Sequence, residues 1–127
     1  MSEPAISNRE RNGYLETIGR VTGLPRVTEI WYATEHDEIY LLSGYHNDKD
    51  WVKNFLANPA VRFRIGDHWY AGWASFVEND PALDLRVRRL LVAKYYGYDL
   101  ESGDPLPNEW SITGFPVVIR LNEVAGS

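Results

Sequence analysis

The sequence predicts a mainly β, α+β fold: a small β-barrel of about six mostly antiparallel strands with two or three helices packed on it. Three observations predict it. Apolar, β-prone runs recur along the chain and are separated by short turns rich in Gly, Asp and Pro, which makes hairpins. The stretches with helical spacing do not alternate with the strands, so a doubly wound parallel sheet does not fit. The chain also carries 5 Trp, 8 Tyr and 4 Phe, a large aromatic payload that suits a β-rich core and equally suits a pocket for a flat ligand.

The elements follow in order. Met1–Gly13 is polar and reads as a frayed N-terminal segment or arm, ahead of a single domain over 14–127. Tyr14–Gly19 is a short strand. Arg20–Arg26 is a Gly/Pro connection in which Gly23 takes the left-handed conformation. Val27–Thr34 is a strand, and Glu35-His36-Asp37 turns the chain. Glu38–Ser43 is nearly all apolar through Ile39, Tyr40, Leu41 and Leu42, the pattern of a strand buried on both faces. After a loop, Asp48 or Asp50 caps a helix whose apolar face is Trp51, Val52, Phe55 and Leu56, and Asn58-Pro59 ends it.

Ala60–Ile65 and Trp69–Val77 form a hairpin across Gly66-Asp67-His68. Asn79-Asp80-Pro81 starts a second helix, with a cap and then proline in the first turn. Leu83, Val87, Leu90, Leu91 and the Lys94 stem mark its apolar stripe, and it runs out near Tyr95-Tyr96-Gly97. Tyr98–Ser111 reads as a long polar loop, and Phe115–Leu121 as the last strand.

Composition bounds the function. At 127 residues, 44% hydrophobic and 24% charged, this is an ordinary globular domain. A net charge of −5 argues against nucleic acid as a partner. The absence of cysteine excludes disulfides, thiol catalysis and Cys-ligated zinc. His36, His46 and His68 fall in three turns without ligand spacing, so no metal site is expected. No apolar run is long enough to span a bilayer, and the polar N-terminus lacks the apolar region of a signal peptide. A cytoplasmic location is the expectation.

Within this acidic chain, Arg20, Arg26, Lys49, Lys53, Arg62 and Arg64 concentrate in the first half. The densest feature is Gly19-Arg20-Val21-Thr22-Gly23-Leu24-Pro25-Arg26, which puts two guanidinium groups and free backbone N–H groups around one tight turn. That arrangement suits an anion such as a phosphate, although solvated arginines beside a hairpin give the same pattern.

Taken together, Gly19-Arg20-x-Thr22-Gly23-x-Pro25-Arg26, Ile30-Trp31-Tyr32, Leu41-Leu42-Ser43-Gly44 and Asp50-Trp51-x-x-Asn54-x-x-Ala57-Asn58-Pro59 resemble the deazaflavin-dependent nitroreductase family. That family belongs to the split β-barrel flavin and deazaflavin oxidoreductases, relatives of the pyridoxamine-phosphate oxidases. The likeness runs from about Tyr14 to Leu121. It implies a split β-barrel that binds the deazaflavin F420 and passes a hydride from the reduced ring to a small electron-poor acceptor such as a quinone, nitroaromatic or enone. It further implies that Arg20, Val21, Thr22 and Arg26 surround the cofactor's phosphate and anionic tail. Ile30, Trp31, Ser43 and Trp51 would form the ring slot, Lys49 and Lys53 would help the anion clamp, Lys49 and Trp51 would close over the cofactor, and Gly44, Asp50 and Asn54 complete the cofactor-binding set around the strand end and the helix N-terminus.

Ser43, Tyr95 and Tyr98 are the candidate catalytic residues, with Tyr95, Tyr96 and Tyr98 forming a substrate rim where a phenol can donate a proton. Family members commonly carry Lys where this chain has Val21, and the lost charge makes FMN, with its single phosphate, the alternative cofactor. A split barrel that only binds a flavin or haem is the non-enzymatic alternative. Related barrels often form homodimers, which the aromatic surplus would suit. Glu29 interrupts an apolar strand and either lines the pocket, answers Arg20 or Arg26, or sits on an edge surface.

Overall fold

The computed structural model describes residues 6–44, 49–101, 103, 105–107 and 109–122. Seven strands form one antiparallel sheet: β1 (Gly13–Ile18), β2 (Pro25–Ile30), β3 (Ala33–Glu35), β4 (Glu38–Ser43), β5 (Ala60–Ile65), β6 (His68–Phe76) and β7 (Phe115–Leu121). Among the described residues, three helices accompany it: α1 (Asp50–Ala57), α2 (Pro81–Tyr96) and α3 (Glu109–Thr113). The strand order is β2-β1-β5-β6-β7-β4-β3.

The two outermost strands, β2 and β3, are consecutive in the chain and separated only by Trp31 and Tyr32. Three Cα steps, from Ile30 to Ala33, reach about 11 Å at most. The sheet must therefore curl until its edges nearly meet, which makes a half-barrel. The β1–β2 turn is tightened by hydrogen bonds from the Gly19 N–H to the Leu24 carbonyl and from the Gly23 N–H to the Gly19 carbonyl, both 2.8 Å. Gly23 has φ +72°, as the turn chemistry predicts.

The long strand expected over 27–34 is broken. At the break, the backbone N–H of Tyr32 donates to the Tyr95 hydroxyl at 3.0 Å, and its carbonyl accepts from Lys94 Nζ at 2.9 Å. Side chains of α2 thus take the place of ladder partners, and one expected strand becomes β2 and β3.

Strand β4 is buried on both faces, as its apolar run indicates. Ile39 and Leu41 enter the barrel core with Leu15, Phe63, Val117 and Ile119, and α1 closes that core with Trp51, Val52 and Phe55. Tyr40 and Leu42 face the other way, against Val87, Leu90 and Leu91 of α2. Helix α1 differs from expectation on two points. Lys49 occupies the N-cap position with no side-chain cap, Asp50 being the first helical residue, while Asp48 lies outside the described residues. Leu56 is exposed, and the polar Asn54 is buried in the site-facing row.

Helix α2 follows its sequence signals. Asp80 accepts from the Leu83 N–H at 3.1 Å, Pro81 is the first residue, and Gly97 ends the helix at φ +71°. Helix α3 lies inside what reads as an unbroken polar loop. Five residues cannot hold a helix alone. Trp110 packs against the α2 cluster, and Arg88 donates to the carbonyls of Ser111 and Ile112 at 3.0 and 2.8 Å.

Residues 6–12 are docked rather than frayed. Ile6 enters the core, the Tyr32 hydroxyl donates to the Ser7 carbonyl at 2.9 Å, and Asn8 Oδ1 accepts from the Thr34 N–H at 3.0 Å.

Candidate functional site

Two cavities lie one after the other along β2. The first, of about 410 Å³, sits between the 19–24 turn and the first turn of α1. Arg20, Val21, Thr22 and Arg26 border it from the turn, and Asp50, Trp51 and Asn54 border it from the helix.

Its organising group is Asn54, which is 3% exposed. The Asn54 side-chain oxygen accepts from Arg20 Nη1 at 2.9 Å and from the Arg20 backbone N–H at 3.2 Å. Its Nδ2 donates to the buried hydroxyl of Thr17 at 3.2 Å. A buried amide whose donor and acceptor both find partners fixes its neighbours in place. The guanidinium also approaches the exposed Asp50 carboxylate at 3.4 Å. Arg26 is exposed at the cavity wall and, among the described residues, has no hydrogen-bond or ion-pair partner. Val21 is 87% exposed at the turn, which leaves this wall one apolar side chain between its cationic ones.

The second cavity, of about 520 Å³, is aromatic. Ile30 and Trp31 meet Leu42, Tyr96 and Trp110 there, with Arg11, Asn12 and Glu29 at the polar side. Trp31 is held on several sides. Tyr95 stacks flat on it, with ring centroids 4.2 Å apart and planes within 2°. Trp110 and Tyr96 meet it edge-on at 5.7 and 6.1 Å. Such pairs contribute about 0.5–1.5 kcal/mol each beyond area burial. Arg11 Cζ lies 5.6 Å from the Trp31 ring centroid.

The clamp beneath Trp31 is polar. The Tyr95 hydroxyl lies 2.7 Å from the Arg11 carbonyl and 3.1 Å from the Tyr32 carbonyl. Lys94 Nζ stands 3.4 Å from the centroid of the Tyr32 ring, and burial lowers its pKa to about 8. Burial also pushes the Tyr32 phenol up to about 12.

The structure thus divides the expected site. The residues of the anion turn and the α1 start come together around the first cavity, whereas Ile30 and Trp31 belong to the second. Trp51 and Trp31, expected in one ring slot, border different cavities. Ser43 is 1% exposed and, with Gly44, Lys49, Tyr95 and Tyr98, is not part of either wall. Tyr95 stands directly behind the wall, against Trp31. Glu29 does not answer Arg20 or Arg26. It accepts from the Tyr14 hydroxyl at 3.0 Å, which raises the Tyr14 pKa, and it borders the second cavity.

Sequence reasoning passed over Thr17, Arg11, Asn12 and Trp110. A lone Trp in a polar loop was the available signal for Trp110; the polar arm gives none for Arg11 and Asn12. Among the described residues, no helix is long and apolar enough to cross a membrane.

Solved structures share this curled split-barrel fold. A conserved hypothetical protein from Mycobacterium tuberculosis is 27% identical, with a TM-score of 0.72, over 91% of this chain and 76% of that one. A protein described as an F420 reductase is 20% identical, with a TM-score of 0.61, over 91% and 90% of the two chains. A FAD-binding protein from Mesorhizobium loti is 18% identical, with a TM-score of 0.62, over 91% and 84%. No curated relative matches the chain. The F420H2-dependent quinone reductase family matches residues 8–107. The chain belongs to that family, a family of oxidoreductase enzymes.

Proposed function

We propose that this protein binds F420 along β2 and reduces a small, planar, electron-poor acceptor, a quinone first and a nitroaromatic or enone next. The observation that carries the reading is the order of the two cavities: a cationic one bordered by Arg20 and Arg26, then an aromatic one bordered by Trp31 and Trp110. A ligand with an anionic tail and a flat ring has both needs. The donor set fits the tail. Arg26 has no protein partner among the described residues, and Arg20 is held in one orientation by a buried amide.

When bound, the reduced deazaflavin supplies the hydride. The chain's own residues bind, orient and exclude water. Arg20 and Arg26 neutralise the anionic tail. Asn54 holds Arg20, and Thr17 holds Asn54. Trp31 gives the ring a rigid floor, kept flat by Tyr95 from behind. Leu42, Tyr96 and Trp110 keep water from the reacting atoms. Tyr95 acts here as a positioning residue, because its hydroxyl is engaged by the backbone of Arg11 and Tyr32. Ser43 and Tyr98 are not part of either wall and do not touch the ring in this reading.

Fluorescence titration of the purified protein with F420 and with FMN tests it. F420 should bind at micromolar concentrations, and Arg20→Ala and Arg26→Ala should each weaken it by about 10–100-fold, the loss of a charge-assisted hydrogen bond. FMN binding without F420 binding would move the protein to flavin chemistry, a reading favoured by the uncharged Val21 at the anion turn.

We also propose a homodimer through the outer face of β6, where Trp69 and Trp73 are exposed, the latter at 54%. Sedimentation of the protein and of Trp73→Glu tests this; the variant should be monomeric.

A further inference from the structure

Two charged side chains, Arg11 and Glu29, border the aromatic cavity, and they are held differently. Glu29 is engaged: its carboxylate accepts from the Tyr14 hydroxyl at 3.0 Å. The Arg64 guanidinium carbon lies 4.2 Å from the centroid of that same Tyr14 ring. Arg11 is not engaged in this way. Among the described residues, its guanidinium has no hydrogen-bond acceptor and no ion-pair partner, Glu29 included.

The backbone that carries Arg11 is nevertheless fixed. The Tyr95 hydroxyl lies 2.7 Å from the Arg11 carbonyl and 3.1 Å from the Tyr32 carbonyl, and the Tyr95 ring stacks on Trp31. One side chain thus sets both the flat wall of the cavity and the place of the arginine beside it. The guanidinium carbon lies over the Trp31 ring, 5.6 Å from its centroid. A cation–π contact of that length leaves all five N–H donors of the guanidinium unused. Donors held beside an apolar wall, with no protein anion to answer them, are preorganised for negative charge that arrives with a ligand.

We propose that Arg11 is a further catalytic residue, which donates to an oxygen of the acceptor and stabilises the negative charge that this oxygen takes up on reduction. The inference rests on the reading of the aromatic cavity as the place of reduction. A quinone that accepts a hydride gains its electron pair and becomes a hydroquinone monoanion, and one proton from water completes the two-electron reduction. A donor that meets the charge as it forms raises the rate, whereas one that binds only the neutral acceptor does not. Arginine suits the role because it stays charged at any working pH and presents its donors as a fork. Glu29, on the same side of the cavity, opposes the anion, so the two residues act with opposite sign. Lys94, beneath Trp31, is already bound to the Tyr32 carbonyl.

The test adds 4-nitrophenol to the full-length protein without cofactor, because the phenolate absorbs visible light and its ionisation is read directly. Bound 4-nitrophenol should ionise about one pH unit below the free compound, a tenfold preference for the anion. Arg11→Met should abolish that shift, Arg11→Lys should restore part of it, and Glu29→Gln should enlarge it. With reduced F420 and a neutral naphthoquinone, Arg11→Met should lower kcat by about tenfold or more with little change in KM, and Arg11→Lys should recover part of the rate. The proposal is overturned if 4-nitrophenol does not bind saturably, or if it ionises when bound at or above the pH of the free compound. It is equally overturned if Arg11→Met keeps the wild-type shift or the wild-type kcat. F420 titration of the same proteins separates this inference from the reading beneath it. F420 binding without an effect of Arg11 removes the inference and leaves the cofactor assignment standing. An Arg11-dependent shift without F420 binding keeps the anion-stabilising role and removes the cofactor assignment alone.

Discussion

The side-chain oxygen of Asn54 receives two hydrogen bonds from one residue, Arg20: one from Nη1 and one from the backbone N–H. The chain end of β1 and the guanidinium that projects from it are therefore fixed by the same atom of α1. Asn54→Ala should remove both contacts and leave the Thr17 hydroxyl buried without its partner. Stability should fall by about 1–3 kcal/mol, and F420 should bind about tenfold more weakly, a 1.4 kcal/mol change. The double variant with Arg20→Ala should lose less affinity than the two single losses together, because Asn54 acts through Arg20. Denaturant unfolding and fluorescence titration of the four proteins check both statements.

Lys94 gives a pH signature at the clamp beneath Trp31. Burial is the largest influence on it and lowers its pKa from 10.5 to about 8, with Glu10 pulling weakly the other way. Between pH 8 and 10.5 the unfolded chain holds a proton that the folded one has released, so folding stability should rise with pH across that window. Tyr32, raised from 10.0 to about 12, works in the opposite direction only above pH 10. A Tm series from pH 7 to pH 10 should show the rise in the wild type and a flatter course in Lys94→Met.

Glu35 ties the short β3 to α2 through Arg86, with contacts of 2.6 to 3.2 Å. Arg86 holds its carboxyl below the ordinary value of 4.5. The contribution is present above pH 4.5 and is lost as the pH falls through the lowered value. Glu35→Gln should therefore cost about 1 kcal/mol at pH 7. Wild type and variant should converge in stability at acid pH, as read by urea unfolding.

Gly72 is required by a close approach. A Cβ there would stand 2.5 Å from the Arg120 carbonyl oxygen on β7. Backbone cannot yield as a flexible side-chain tip does, so Gly72→Ala should destabilise by about 1–3 kcal/mol. The denaturant midpoint should drop with an unchanged slope.

Much of this architecture can be read from the chain, and the reasons differ by element. β4 is marked by a run apolar at every position, because it is buried on both faces, and α2 by a cap, a proline and a terminal glycine. What escapes is what distant residues impose. Trp31-Tyr32 is as β-prone as its flanks, and only Tyr95 and Lys94, more than sixty positions on, turn it into a break. Helix α3 depends on Arg88 in the same way. At the site, the turn and the helix start are each legible because both signals are local, whereas their meeting is a contact across 34 positions, from Arg20 to Asn54. The assignment of Ile30 and Trp31 to a separate cavity depends on how the half-barrel curls, which no local pattern records. Asn54 stands out only as a polar residue at an inward helical position.

Strand β7 has a consequence in time as well as in space. It lies between β6 and β4 and pairs with both, so that Glu38 on β4 meets Arg120, 82 positions away. Without residues 115–121 the strand order is cut in two, β2-β1-β5-β6 and β4-β3, so before they leave the ribosome the sheet can pair only as two pieces, each with an open edge where β7 belongs. The apolar run of β4 waits beside one of those gaps. A nascent chain of this design is thus most exposed to strand addition from other chains just before synthesis of β7, and closure of the barrel is deferred to its last strand.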